Sequence, residues 1–137
     1  MKRIIALDFG TKRTGIAVTD PMQIIASGLD TVLTKDLVPF LKSYLNSEPV
    51  STIVLGEPKQ MDNTPSESEA AIKALILTLE AEFTGIEIAR QDERFTSKMA
   101  VQAMVAGGMK KKKRQEKGRI DQISATLILQ AYLNRIS

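Results

Sequence analysis

Asp8 closes a short apolar stretch, Ile4-Ile5-Ala6-Leu7, and opens the run Asp8-Phe9-Gly10-Thr11-Lys12-Arg13-Thr14-Gly15. Two further acids, Glu93 and Asp121, each stand beside an apolar segment far along the chain. Histidine and cysteine are absent. Chemistry must therefore come from carboxylates, basic side chains, hydroxyls and backbone. Three carboxylates brought together repel one another unless divalent cations lie among them. Magnesium suits such a set, because it prefers oxygen ligands and keeps several waters; manganese accepts the same donors. Two ions about 3.5–4 Å apart can activate a water and stabilise the leaving oxygen of an in-line phosphoryl displacement. The three acids point to metal-dependent attack on phosphodiesters.

Each acid also has a purely structural reading. Asp8 can simply bond the backbone of the turn it opens, a common role for Asp. In the functional reading its carboxylate faces a crevice, and Gly10 and Gly15 let the backbone approach a phosphate. Arg13, with Lys12 nearby, then contacts phosphate oxygens. A glycine loop after a strand serves many phosphate-binding folds, so this motif alone is weak. In Gln91-Asp92-Glu93-Arg94-Phe95-Thr96 the two acids follow an apolar segment and precede a helix cap, where they could merely favour the helix start. Asp121 leads the helical face 121, 125, 128, 132, here Asp, Ala, Ile and Tyr. Placed in a first turn it would suit the helix dipole; held against the sheet it would meet Asp8 and Glu93.

The net charge of +3 is unevenly spread. Between Gly107 and Arg119 lie seven basic residues (Lys110, Lys111, Lys112, Lys113, Arg114, Lys117 and Arg119) and one acid, Glu116. The remainder carries twelve basic and fifteen acidic residues, hence −3. A local cluster of this kind attracts a polyanion and makes binding salt-dependent, unless it is only a solvated loop. With six aromatic residues, base stacking on side chains is a minor contributor, and backbone and shape should dominate recognition. The expected partner is nucleic acid. A length of 137 residues suits one domain, and no apolar run approaches the ~18 residues of a membrane span. Without a signal-peptide pattern, the chain reads as cytoplasmic.

The elements that must position these residues follow from the apolar periods. Arg3–Phe9 reads as a buried strand, Thr14–Thr19 as its hairpin partner, and Ile24–Leu33 as a third strand after the Asp20-Pro21 turn. Thr34 is placed to cap a helix carrying Leu37, Val38, Leu41, Tyr44 and Leu45. Thr52–Leu55 is a strand, Gly56–Pro65 a loop, and a second helix runs from about Ser66 to Phe83. Ile86–Ala89 is a fifth strand. Thr96 or Ser97 caps a third helix ending at Gly107-Gly108, and Ile120–Ile136 is a fourth. The segment 107–117 is expected to be mobile. The order β-β-β-α-β-α-β-α-α implies one α/β domain with a mixed five-stranded sheet and helices on both faces.

Four runs carry a resemblance: Leu7–Asp20, Val54-Leu55-Gly56-Glu57-Pro58, Asp92-Glu93-Arg94-Phe95-Thr96-Ser97, and Lys117-Gly118-Arg119-Ile120-Asp121-Gln122-Ile123-Ser124-Ala125. In this order, over the whole length, the chain resembles the YqgF/RuvX family. Its members are described as Holliday junction resolvases and as pre-16S rRNA processing nucleases. The resemblance implies a ribonuclease H-like fold and metal-binding acids at Asp8, Glu93 and Asp121, with Asp92 as a further candidate. It also implies Mg2+ or Mn2+ as cofactor and precursor rRNA or branched DNA as substrate. Two positions depart from the family pattern. Glu57 stands where an apolar residue is common, and either adds a fourth acid or ion-pairs with Lys59. Met61-Asp62-Asn63-Thr64 lacks the usual glycine after Asp62.

A resolvase needs two active sites and so favours a homodimer, whereas ribosome maturation is served by a monomer. A nucleic-acid-binding assembly protein without cleavage is a separate class. The first loop also resembles the phosphate loop of actin-like kinases and ATPases, but those enclose a nucleotide between two lobes and this chain supplies one.

Overall fold

Branched apolar residues fill the central strands because those strands are covered on both faces. A computed structural model describes residues 2–57, 68–92 and 117–136, with backbone alone for 117–119. Strands β1 (Arg3–Asp8), β2 (Arg13–Thr19), β3 (Ala26–Leu33), β4 (Val50–Glu57) and β5 (Glu87–Asp92) form one sheet in the order β3-β2-β1-β4-β5. The β1–β2 and β2–β3 pairs are antiparallel; β1–β4 and β4–β5 are parallel. Helices α1 (Leu37–Ser47), α2 (Glu69–Glu82) and α3 (Lys117–Ile136) complete the described elements.

Strand alternation divides the core in two. Ile5, Leu7, Ile16, Val18, Ile53 and Leu55 pack with Leu37 and Leu41 of α1 and Ile72 and Leu79 of α2. On the other face Ile4, Ala6, Ala17 and Val54 pack with Ala125, Ile128 and Leu129 of α3. Burying each such Leu or Ile contributes about 1.5–3 kcal/mol. Small residues on the second face let α3 lie close to the sheet. The expected mixed sheet with helices on both faces is the one observed.

Several boundaries differ from the sequence reading. Thr34 does not cap α1. It begins a 3-10 turn, Thr34–Asp36, and its hydroxyl donates to the Gly10 carbonyl at 2.5 Å. Gly56 belongs to β4 rather than to a loop, and β5 continues to Asp92 because it pairs with β4 as far as Glu57↔Asp92. α3 begins at Lys117, so Asp121 lies beyond the first turn and its position is set by packing rather than by the helix dipole. Glu93, the helix expected after Thr96, and the lysine run Lys110–Arg114 lie outside the described residues. No helix among the described residues is long and apolar enough to cross a membrane.

Candidate functional site

Asp8 is the last residue of β1 and pairs with Gly15 of β2. The β1–β4 register ends at Leu7↔Leu55, so one further step sets Asp8 beside Gly56, which in turn pairs with Gln91 of β5. Gly15, Asp8, Gly56 and Gln91 thus form a row across one sheet edge. Each has the parity of Ala6, Ala17, Val54 or Ala89, which pack on the α3 side, so the row faces α3. Asp8 is flanked on both sides by glycine, leaving its carboxylate unobstructed by neighbouring side chains in the row.

Asp121 enters from above. A Cβ added at Gly15 would lie 2.8 Å from the Asp121 Cβ and against the Asp121 carbonyl group. Glycine at position 15 is therefore required by the approach of α3, not by a phosphate as the sequence alone suggested. Ala125 and Ile128, one and two turns on, are fully buried against the same face and hold the helix there. The residues 121, 125, 128 and 132 share a sheet-facing stripe, as their spacing required.

Arg13 begins β2 on this same face and approaches Asp121, with Nε 3.8 Å from Oδ2. Both side chains keep about a third of their surface, 32% and 28%. A partly exposed pair at this distance contributes little to stability, about 0–1 kcal/mol. Its significance is positional: a cation stands beside a candidate metal ligand. Lys117 and Arg119 lie in the first turn of α3, just before Asp121.

Asp92 and Glu57 are placed differently. They are register partners at the ends of β5 and β4. Their parity is that of Arg90, Ile88, Leu55 and Ile53, which belongs to the α2 side. Arg90 itself reaches Glu69 of α2, Nη1 to Oε1 at 2.9 Å, an ionic contact not aligned as a hydrogen bond, and donates to the Gly56 carbonyl at 3.0 Å. Asp92 and Glu57 therefore sit on the sheet face opposite Asp8 and Asp121. Among the described residues no group of three acids is close enough to hold a metal ion; Glu93 is not among them.

The oxygen groups on this face are the Asp8 carboxylate, the Asp121 side chain on the helix over Gly15, and, two strands along the row from Asp8, the side-chain amide of Gln91. The Gln91 Oε1 atom is buried and has no hydrogen-bond partner among the described residues. A buried acceptor in this state is costly unless a water or ligand meets it. An all-oxygen donor set on one face, two carboxylates with a buried unmet amide oxygen farther along the row, has the chemistry that a hard divalent cation with its waters takes. Residue type and motif gave Gln91 no role; only the strand register shows that it shares the row of Asp8.

The sheet order, with α3 on one face and α1 and α2 on the other among the described residues, defines an α/β protein of the ribonuclease H-like fold. T. thermophilus RuvC in complex with Holliday junction substrate matches it with a TM-score of 0.55 at 16% identity, covering 100% of this chain and 97% of that one. A family model described as "RuvX: Holliday junction resolvase" matches residues 2–135, and the chain belongs to that family. Relatives named "Putative pre-16S rRNA nuclease" include one from Christiangramia forsetii, 55% identical over 97% of this chain and 98% of its own length. Another, from Flavobacterium johnsoniae, is 54% identical over 98% and 97% respectively.

Proposed function

We propose that this chain is a metal-dependent endonuclease that hydrolyses phosphodiester bonds of structured nucleic acid, with precursor 16S rRNA in the cytoplasm as its substrate. The observation that carries the proposal is the seating of Asp121 over Gly15, beside Asp8, on one face of the sheet edge. This supports the reading, because α3 sets Asp121, remote in sequence, over the register partner of Asp8. The names of relatives similar across nearly the full length support the substrate class.

Asp8 and Asp121 would hold divalent cations, with Glu93 as the third carboxylate. Glu93 follows Asp92 directly, and consecutive Cα atoms are about 3.8 Å apart. Asp92 is its neighbour on a strand whose parity favours α2, so we assign it a supporting role at most. When bound, Mg2+ or Mn2+ would supply an activated water and charge neutralisation at the leaving oxygen. Arg13 can turn from Asp121 to a phosphate oxygen, because its guanidinium pairs with either anion. Lys12, Lys117, Arg119 and the run Lys110–Arg114 would hold the polyanion through its backbone, independent of sequence.

The family description favours a second reading, the same chemistry on branched DNA. A homodimer would then present two sites to a four-way junction, whereas a monomer suits rRNA maturation. A cleavage assay with precursor 16S rRNA and four-way DNA in Mg2+ or Mn2+ separates the two. Asp8→Asn should lower cleavage of the true substrate at least about a hundredfold while leaving the melting temperature within a few degrees. Mg2+ should also raise the melting temperature of the wild type and not of the variant, since only a bound ion stabilises the fold. Wild type and variant behaving alike on both substrates would refute the enzyme reading and leave a binding protein.

A further inference from the structure

Beside the β1–β2 loop an open groove of about 370 Å³ is lined by Thr11, Lys12, Leu33 and Lys35. Its two walls are locked together. The Thr34 backbone N–H donates to the Lys12 carbonyl at 2.9 Å, and its hydroxyl meets the Gly10 carbonyl at 2.5 Å and the Thr14 hydroxyl at 2.9 Å. The 3-10 turn carrying Lys35 is thereby fixed to the loop carrying Lys12. Two lysines are held across one groove, and among the described residues neither has an ion-pair partner. Both lysines are exposed, so their ammonium groups can meet an anion that enters the groove. The groove also exposes an apolar surface, since Leu33 retains 42% of its area at the end of edge strand β3.

Cations beside an exposed apolar side chain match an unpaired nucleotide, which offers a phosphate and an unstacked base face. A duplex keeps its bases stacked inside and offers Leu33 no base face, so it is not expected to enter the groove. The groove begins within four residues of Asp8, and four residues reach at most roughly 14 Å. At roughly 3.4 Å of rise per nucleotide along one strand, the groove is therefore no more than about four steps from Asp8.

Resting on the nuclease reading for its location, we propose that this groove is a subsite for a single-stranded flank of the substrate. Lys12 and Lys35 bind its phosphate and Leu33 seats its base. Lys35 and Leu33 thereby gain a role that their positions in the sequence do not suggest. The preferred substrate carries unpaired nucleotides next to the cleavage point, as a precursor end does, rather than continuous duplex.

The test is binding of a fluorescent ten-nucleotide oligouridylate in chelator, with a blunt duplex RNA of equal length for comparison. Both are titrated across salt with the intact wild-type chain, Lys35→Glu and Leu33→Ser. Lys35→Glu should weaken oligouridylate binding about three- to tenfold and reduce the salt slope by roughly 0.7, the value for one phosphate contact on a single strand. Leu33→Ser should weaken binding without changing the slope. Duplex affinity should be the same for all three proteins. An unchanged slope and affinity in Lys35→Glu, with its melting temperature intact, overturns the proposal; so does an equal weakening on duplex. Because binding is read without cleavage, the subsite stands or falls separately from the nuclease reading, which Asp8→Asn tests.

Discussion

Replacing Gly15 by alanine should disable the site through a single methyl group. The added Cβ would lie 2.8 Å from the Asp121 Cβ and closer still to that residue's carbonyl group. Carbon atoms rest at about 3.5–4.0 Å, so α3 must retreat from the sheet by about 1 Å at Asp121. Neighbours on the helix cannot absorb this cheaply, because Ala125, Ile128 and Leu129 are at most 1% exposed. Overpacking of this kind costs about 1–3 kcal/mol. For a domain of this size each kcal/mol lowers the melting temperature by roughly 3–6 °C. Misplacing a catalytic group by 1 Å costs roughly a hundredfold in rate. Gly15→Ala should therefore be folded at 25 °C, melt several degrees early, and cleave about a hundredfold more slowly.

Gly85→Ala supplies the matched comparison. Gly85 has a φ of +85°, with nothing within 4 Å of an added Cβ, so the substitution strains the backbone by about 1–2 kcal/mol far from the acids. It should lower the melting temperature comparably and leave cleavage unchanged. Circular dichroism melts and single-turnover cleavage at 25 °C measure both quantities. Wild-type cleavage by Gly15→Ala, or equal reductions in the two variants, would refute the idea that α3 packing positions Asp121.

Other consequences follow from charge. The backbone N–H of Ile25 at 2.7 Å is the main influence holding the Asp20 carboxyl below the ordinary carboxylate range; Ile24 and Met22 add to it against partial desolvation. A lowered folded-state pKa stabilises the protein above the unfolded value, and that stability disappears as pH falls through the folded value. The melting-temperature gap between wild type and Asp20→Asn should therefore be full at pH 7 and narrow below about pH 4; a constant gap would contradict it. Neutralising Lys110–Arg114 should flatten the salt dependence of nucleic-acid binding by roughly 0.7–0.9 for each phosphate no longer neutralised, with the melting temperature unchanged. An unaltered salt slope would remove that run from substrate binding.

Much of the architecture was legible from local patterns. Branched apolar runs marked β1, β2 and β4, because strands covered on both faces must be apolar at nearly every position. Asp20-Pro21 marked the β2–β3 turn, where the Asp20 carboxylate does collect three backbone N–H groups. The stripe 121, 125, 128, 132 declared its face by helical spacing alone.

Which sheet face each acid occupies was not legible. Strand parity is visible along one strand, but the facing of Asp8 relative to Asp92 depends on registers between β1, β4 and β5, and a slip of one residue reverses it. Registers are set by packing among segments tens of residues apart. The same holds for Gly15, whose missing side chain looked like room for a phosphate and is filled by α3. Thr34 looked like a helix cap because its type and position allow it, yet its hydroxyl is taken by Gly10 and Thr14 across the loop. Residue types and spacing by themselves determined an α/β scaffold and, with histidine and cysteine absent, limited the side-chain donors open to a hard cation to oxygen. Tertiary structure alone decided which oxygens share a face, because that depends on long-range packing that no local pattern encodes.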